Sequence, residues 1–293
     1  MSVFSENFAR LTEHRERLNR LQTGLWHEAA LFSDLDFPVP DEIGGIYEEI
    51  CGNNTSGINL PEFARFCSVF ADTFRGRLGE VFTDSDSEPA GLPPKIAYLQ
   101  NTFSDKAYRI FAEDFSRPGS RMQVTAAYFP GFREVCEEVY YGRCSHAMLP
   151  VSSSKDGSLA SFRKLIAKYE LKIVSEADID AGDDSVMRFA LLRRGLNPPA
   201  GHSCADLTVV LTEEFTPGAF LYACELLGAS AVNVNSYPLE YADDRCGIQI
   251  TLDISGTDPE ALYLFLEGSH ISYEVIGFYD LLTQNSAQNY SNI

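Results

Sequence analysis

A lone arginine, Arg188, sits in the apolar run "SVMRFALL" between Met187 and Phe189. A guanidinium in such a strand is costly to desolvate, and two things justify it: a two-pronged grip on a ligand carboxylate, or a salt bridge at the strand edge. A second place suited to a carboxylate is "TPGA", residues 216–219. There Gly218 lets backbone approach a ligand closely, and helix-start N–H groups face outward. Other chemistry is thin. The five histidines (14, 27, 146, 202 and 270) show no metal-ligand spacing, and neither a glycine-rich phosphate loop nor G-x-S-x-G occurs. His146 lies in an apolar strand, which reads as core rather than catalyst. Arg10, Arg15, Arg17 and Arg20 share one helix, and a solvated face is preferred over an anion site.

The charge balance restricts partners. With 42 acidic against 23 basic side chains the formal charge is −19, a field that repels phosphate backbones and anionic lipid. No nucleic acid or membrane partner is expected. The seven cysteines are scattered without a C-x-x-C pair, as in reduced cytosolic thiols. The amphipathic, charged start "MSVFSENFARLTEHRERLNR" has no apolar core of a signal peptide, and no run is long enough to span a membrane. A cytoplasmic protein is expected.

Three segments position these residues. Over 1–82 the spacing is helical: Phe8, Leu11, Arg15, Leu18, Leu21 and Leu25 recur at three and four, as do Phe63, Phe66, Cys67, Phe70, Phe74 and Leu78. Asn59 is placed to cap the later helix, and "VPDEIGGIYEEICGNN" predicts a shorter one between. Three helices with aromatic stripes rarely bury themselves alone, which predicts a helical dimer. The polar "TDSDSEPAGLPP" over 83–94 is a linker. Residues 95–195 alternate strand and helix, which predicts a mostly parallel sheet with helices on its faces. "GLNPPAGHS" is a second linker, and 204–283 reads βαββαβ, the order of a ferredoxin-like sandwich.

The last segment resembles an ACT domain, a small-molecule sensor with Pro-Gly-Ala at its first loop–helix junction. Its aromatic-pathway members carry Glu-Ser-Arg-Pro on the second strand. Asn235, Ser236, Tyr237 and Pro238 stand there in this chain. The middle segment resembles a prephenate dehydratase in three places. "IAYLQNTFSDKA" resembles the first strand and loop, where Gly-Pro-x-Gly precedes Thr/Ser-Phe-Ser; Thr102, Phe103 and Ser104 match, while the glycines and proline are gone. "CSHAMLPVSSSKDGS" matches a strand ending Pro-Ile-Glu-Asn-Ser-x-x-Gly; Pro150, Ser154 and Gly157 align, while Ser152 and Ser153 replace Glu-Asn. "SVMRFALLRRG" matches the Thr-Arg-Phe strand, with Met187 for the threonine. The chain is thus similar to the bifunctional chorismate mutase–prephenate dehydratase family, as a degenerate member.

The resemblance implies an α+β multidomain fold: a helical chorismate-mutase-like unit over 1–82, a single prephenate-dehydratase-like α/β lobe over 95–195, and an ACT domain over 204–283. It implies Arg188, Thr102, Ser104 and Ser154 as substrate-facing, and Gly218, Ala219, Asn235, Ser236, Tyr237 and Pro238 as ligand-binding. Neither a cofactor nor a metal is implied. The ligand is a small carboxylate, prephenate-like or an aromatic amino acid, and the assembly a homodimer. Two departures bear on activity. Met187 cannot protonate a leaving ring hydroxyl, a loss of about 100- to 10,000-fold for general acid help. The stretch from Leu159 to Ser185 is also too short for the second lobe that walls the family's cleft. In the helical unit, positions that hold chorismate fall near Gly44 and Gly45 and near Phe74 and Leu78. The expected role is a ligand-binding, regulatory or assembly pseudoenzyme of phenylalanine metabolism. The alternative is an active lyase on prephenate, either the dehydratase or a decarboxylase that keeps the ring hydroxyl.

Overall fold

The structure, a computed structural model, describes residues 3–32, 40–51, 58–74, 93–116, 123–211, 216–238 and 246–282. The chain divides into two compact units. Unit 1 comprises Met1–Leu78, Val209–Ile248 and Gly256–Tyr273; unit 2 comprises Gly79–Thr208, Gln249–Ser255 and Glu274–Ile293.

In unit 2, strand β1 (Lys95–Tyr98) leads into helix α4 (Thr102–Phe115), then β2 (Thr125–Tyr128), α5 (Phe132–Tyr140) and β3 (His146–Ser153). Asn101 starts α4 because its side chain accepts the Phe103 and Ser104 amides at 3.0 and 2.9 Å. The two-residue β4 (Gly157–Ser158) folds back on β3, and α6 (Ala160–Lys168) follows. β5 (Lys172–Gly182) and β6 (Ser185–Arg193) then form a hairpin. Its turn residues, Asp183 and Asp184, have φ of 50° and 53°, as a type I′ turn requires and as aspartate tolerates. The sheet is therefore mixed, which corrects the expectation of a mostly parallel one. β1 runs parallel to β2 and β3, but β6 lies antiparallel between β3 and β5. A direct strand–strand connection with no helix between permits only that.

Alternation along these strands separates two apolar faces. Ile96, Tyr98, Met148, Ala177, Ile179, Phe189 and Leu191 pack under α4 with Ala107 and Phe111. Ala97, Ala147, Leu149, Ala190 and Leu192 pack on the other side with Val135, Val139 and Ile166 of α5 and α6. The connector 195–203 is tied down rather than loose. Asn197 donates to the Val174 and Phe278 carbonyls, and Ser203 and His202 both bond Asp280.

The remaining strands are β7 (Cys204–Leu211), β8 (Ser230–Pro238), β9 (Cys246–Asp253), β10 (Ser272–Tyr279) and β11 (Leu281–Leu282), with helices α7 (Pro217–Leu226) and α8 (Pro259–Gly268) between. Hydrogen bonding gives an eleven-stranded sheet in the order β2-β1-β3-β6-β5-β10-β7-β9-β8, with β4 and β11 off this path. Within it β10-β7-β9-β8 is the strand order of a βαββαβ sandwich.

Unit 1 holds α1 (Val3–Phe32), α2 (Pro40–Cys51) and α3 (Leu60–Phe74), packed with α7 and α8. Asn59 caps α3, accepting the Glu62 amide at 3.4 Å. Phe63, Phe66 and Phe70 are wholly buried, Phe63 against Phe265 of α8 and Phe66 against Trp26 of α1. The aromatic stripe of α3 is thus covered by its own chain, and this premise for a helical dimer falls away. The leucines of α1 are different: Leu11, Leu18, Leu21 and Leu25 are 52–68% exposed.

Candidate functional site

The chain passes from β1 through α4 to β2 on one side of β1, and from β2 through α5 to β3 on the other. That reversal makes the carboxyl ends of β1 and β3 a topological switch point, the place where open α/β sheets form ligand crevices. The start of α4, the end of β3 and, because it is antiparallel, the start of β6 all come to this end. Thr102, Ser104, Ser154, Met187 and Arg188 are therefore gathered at one edge. Ser152 stands opposite Arg188, and Ser153 opposite Met187.

Pleating then divides them. Met187 packs on the α4 face with Phe103, where Ser104 is buried and Thr102 exposed. Arg188 points to the other face. Ser154 serves the ladder: its N–H donates to the Val186 carbonyl at 2.8 Å, and its hydroxyl accepts the Val186 N–H at 2.9 Å.

Arg188 does not wait for a ligand. Its Nε donates to Asp178 Oδ1 at 2.7 Å and its Nη2 to Asp178 Oδ2 at 2.9 Å, the bidentate grip that a substrate carboxylate would receive. Hydrogen bonding to Asp178 holds the guanidinium firmly protonated. Behind this pair, on the same face of β5, Glu176 is 2% exposed with Oε2 3.7 Å from Arg188 Nη1. Its Oε1 has no hydrogen-bond partner. Burial pushes its carboxyl up to about 7, opposed chiefly by Arg163. Arg163 of α6 in turn donates to the fully buried Asp206 of β7 at 2.5 Å, and Gln249 of β9 donates to the other Asp206 oxygen at 3.3 Å. The buried Tyr279 of β10 also belongs to the cluster and favours the ionised form of Glu176. The sequence reading missed these acids. Their signal was the spacing of Glu176, Asp178 and Asp180 in "SEADID", which places three carboxylates on one strand face.

The other sequence-derived positions come together less. At the start of α7 the Ala219 N–H is taken by the capping Thr216 hydroxyl at 3.2 Å, while Gly218 is exposed with open space beside it. Asn235 is half-buried and Ser236 exposed on β8, with Tyr237 and Pro238 closing the strand. In α2, a Cβ on Gly44 would lie 2.5 Å from the Gly268 carbonyl, whereas Gly45 has nothing within 4 Å. Gly44 is thus a helix-crossing residue. Leu78 lies outside the described residues, as does the side chain of Phe74.

One further constellation imitates hydrolase machinery without its wiring. Ser203 Oγ donates to Asp280 Oδ1 at 2.7 Å, and His202 Nδ1 lies 3.1 Å from Oδ2. The hydroxyl faces the acid rather than the imidazole, so no base is positioned to activate it. Among the described residues no group of three or more histidine, cysteine or acidic side chains is arranged to hold a metal ion. Among the described residues, too, no helix is long and apolar enough to cross a membrane.

No protein-family model and no curated relative matches the chain. Solved structures do. The chain is similar to prephenate dehydratase from Streptococcus mutans, at TM-score 0.50 and 20% identity over 64% of this chain and 98% of that one. It is similar to a protein described as a novel type of quorum quenching acylase, at TM-score 0.46 and 23% identity, over 63% and 94%. Prephenate dehydratase from Arthrobacter aurescens in complex with L-Phe matches at TM-score 0.46 and 16% identity, over 64% and 90%. At these identities, the first likeness is one of fold.

Proposed function

We propose that the chain is a prephenate-dehydratase-type protein of aromatic amino acid metabolism that has lost lyase chemistry and serves as a carboxylate-binding, regulatory or assembly protein. The fold likeness to the Streptococcus mutans dehydratase supports the ancestry, and so do the motifs around Thr102, Pro150 and Arg188. One observation carries the loss of activity: the Arg188 fork is closed on Asp178, while Met187, in the threonine position, packs on the opposite face. Without a proton donor, the ring hydroxyl cannot leave as water when CO2 departs. The βαββαβ segment is read as an ACT-type sensor, and the junction of Gly218 with Asn235–Pro238 as its ligand site. The assembly is read as a cytoplasmic homodimer that uses the exposed leucine row of α1.

Purified protein incubated separately with chorismate and with prephenate, followed by ultraviolet absorbance and mass spectrometry, tests this. The expected result is turnover at background. Robust phenylpyruvate formation overturns it, and a decarboxylated product that keeps its ring hydroxyl establishes the alternative lyase.

A further inference from the structure

We propose that Glu176 is a buried proton-binding site whose occupancy selects which carboxylate Arg188 holds. The inference is independent of the ancestral chemistry and starts from a count of charges. Three carboxyls (Glu176, Asp178 and Asp206) share their surroundings with two guanidiniums, Arg163 and Arg188. Each guanidinium already has a closer partner: Asp206 at 2.5 Å for Arg163, and Asp178 at 2.7 and 2.9 Å for Arg188. Glu176 is the carboxyl left over. It is nine-tenths buried and more, its nearest guanidinium nitrogen is 3.7 Å away, and one oxygen has no partner at all.

An ionised carboxylate in that position is undersolvated and the cluster carries a net negative charge, which a low-dielectric interior resists. One proton removes both defects. A single orphan oxygen is no seat for a hard metal cation, which needs six or more oxygen ligands. The groups that face Glu176 are Arg163 of α6, Arg188 of β6, Asp178 of β5, Asp206 and Cys204 of β7, and Tyr279 of β10. Burial by these elements raises the carboxyl to about 7, so the proton exchanges in the neutral range.

The two arginines differ in freedom. The Arg163 side chain is 17% exposed and is anchored to an acid that sees no solvent. The Arg188 side chain is 31% exposed, and its partner Asp178 32%. When Glu176 loses its proton, Arg188 is the arm able to turn inward and answer the new charge, leaving Asp178 to water. When Glu176 is protonated, Arg188 returns to its fork on Asp178. The result is a two-position arm set by one proton.

Two readouts on the unmodified full-length protein test this. Infrared difference spectra between about pH 6 and about pH 8 follow the carboxyl, and the side-chain Nε–H resonance of Arg188 follows its partner. The Arg188 signal is assigned by its loss in Arg188→Lys. The expected result is a protonated-carboxyl band that disappears over this range, with the Arg188 resonance moving at the same midpoint. In Glu176→Gln both changes vanish. Absence of a protonated carboxyl at the lower pH overturns the proposal, as does an Arg188 resonance that ignores pH. Because the infrared spectra need no variant and the Arg188 resonance needs only Arg188→Lys for its assignment, misfolding of Glu176→Gln leaves the decision intact.

Discussion

Asp178 faces Arg188 directly across the β5–β6 ladder and engages it through two hydrogen bonds of 2.7 and 2.9 Å. Register and chemistry coincide here: opposed residues on antiparallel strands share a face, and a carboxylate matches the guanidinium fork in width. The grip expected for a ligand is exercised by the protein on itself. Both side chains are about one-third exposed, so a competing carboxylate meets a pair already satisfied.

Removing that internal partner unmasks the fork. Asp178→Asn is expected to cost about 1–2 kcal/mol, in line with loss of a charge-assisted bond, as read by urea denaturation. The same variant is expected to take up succinate at least tenfold more tightly than the unmodified protein in calorimetric titration.

Stability against pH carries two opposed signatures. Glu176 is raised from 4.5 to about 7 on folding, so the folded state binds the extra proton, and stability falls as pH rises from 4.5 towards 7. At 1.36 kcal/mol per unit the swing is about 3 kcal/mol. His146 is lowered by burial from 6.5 to about 3, so its contribution is complete above 6.5 and is lost as pH falls towards 3. Between 4.5 and 6.5 the two slopes oppose each other and flatten the profile. Guanidinium titrations at stepped pH should show stability climbing steadily with pH through this window in Glu176→Gln. An unchanged flat profile in that variant contradicts the assignment.

Adjacent glycines in α2 should behave oppositely. Gly44→Ala drives a methyl to 2.5 Å from the Gly268 carbonyl and is expected to lose about 1–3 kcal/mol, the usual cost of overpacking. Gly45→Ala meets nothing within 4 Å and is expected to gain about 0.5–1 kcal/mol from helix propensity. Trp26, the only tryptophan and buried against Phe66, makes its fluorescence the local readout for unit 1.

Homodimerisation through α1 is tested on the same helix. Light scattering at micromolar concentration should find a dimer, and Leu18→Arg should convert it to a monomer, since a charge at a 65% exposed leucine disturbs only a surface made between copies. Phe66, sealed within one chain, is not part of that surface.

Much of this was legible along the chain, because local signals decide local structure. Asn59, Asn101 and Thr216 cap their helices through oxygens that the sequence displays. The mixed sheet was also written there: two strands in direct succession, joined at Asp183–Asp184, fold back as a hairpin. What the sequence withheld was partnership. The stripe of Phe63, Phe66 and Phe70 announces a buried face but does not say that α7 and α8 of the same chain cover it. Arg188 is visible as an anomaly, yet its pairing with Asp178 depends on a register, and its separation from Met187 on the pleat.

Unit 1 is assembled from the beginning and the last third of the chain, and this sets a schedule for biosynthesis. Val209, where its second segment opens, lies 131 residues beyond Leu78 (209 − 78). At roughly 5–20 residues per second, a ribosome needs on the order of ten seconds to cross that gap, and longer to complete α8. For most of this delay α3 is outside the tunnel with α1 and α2, while α7 and α8, which complete the cover of its phenylalanines, do not yet exist. The nascent N-terminal segment therefore waits with part of its apolar surface uncovered until its carboxyl-terminal complement arrives.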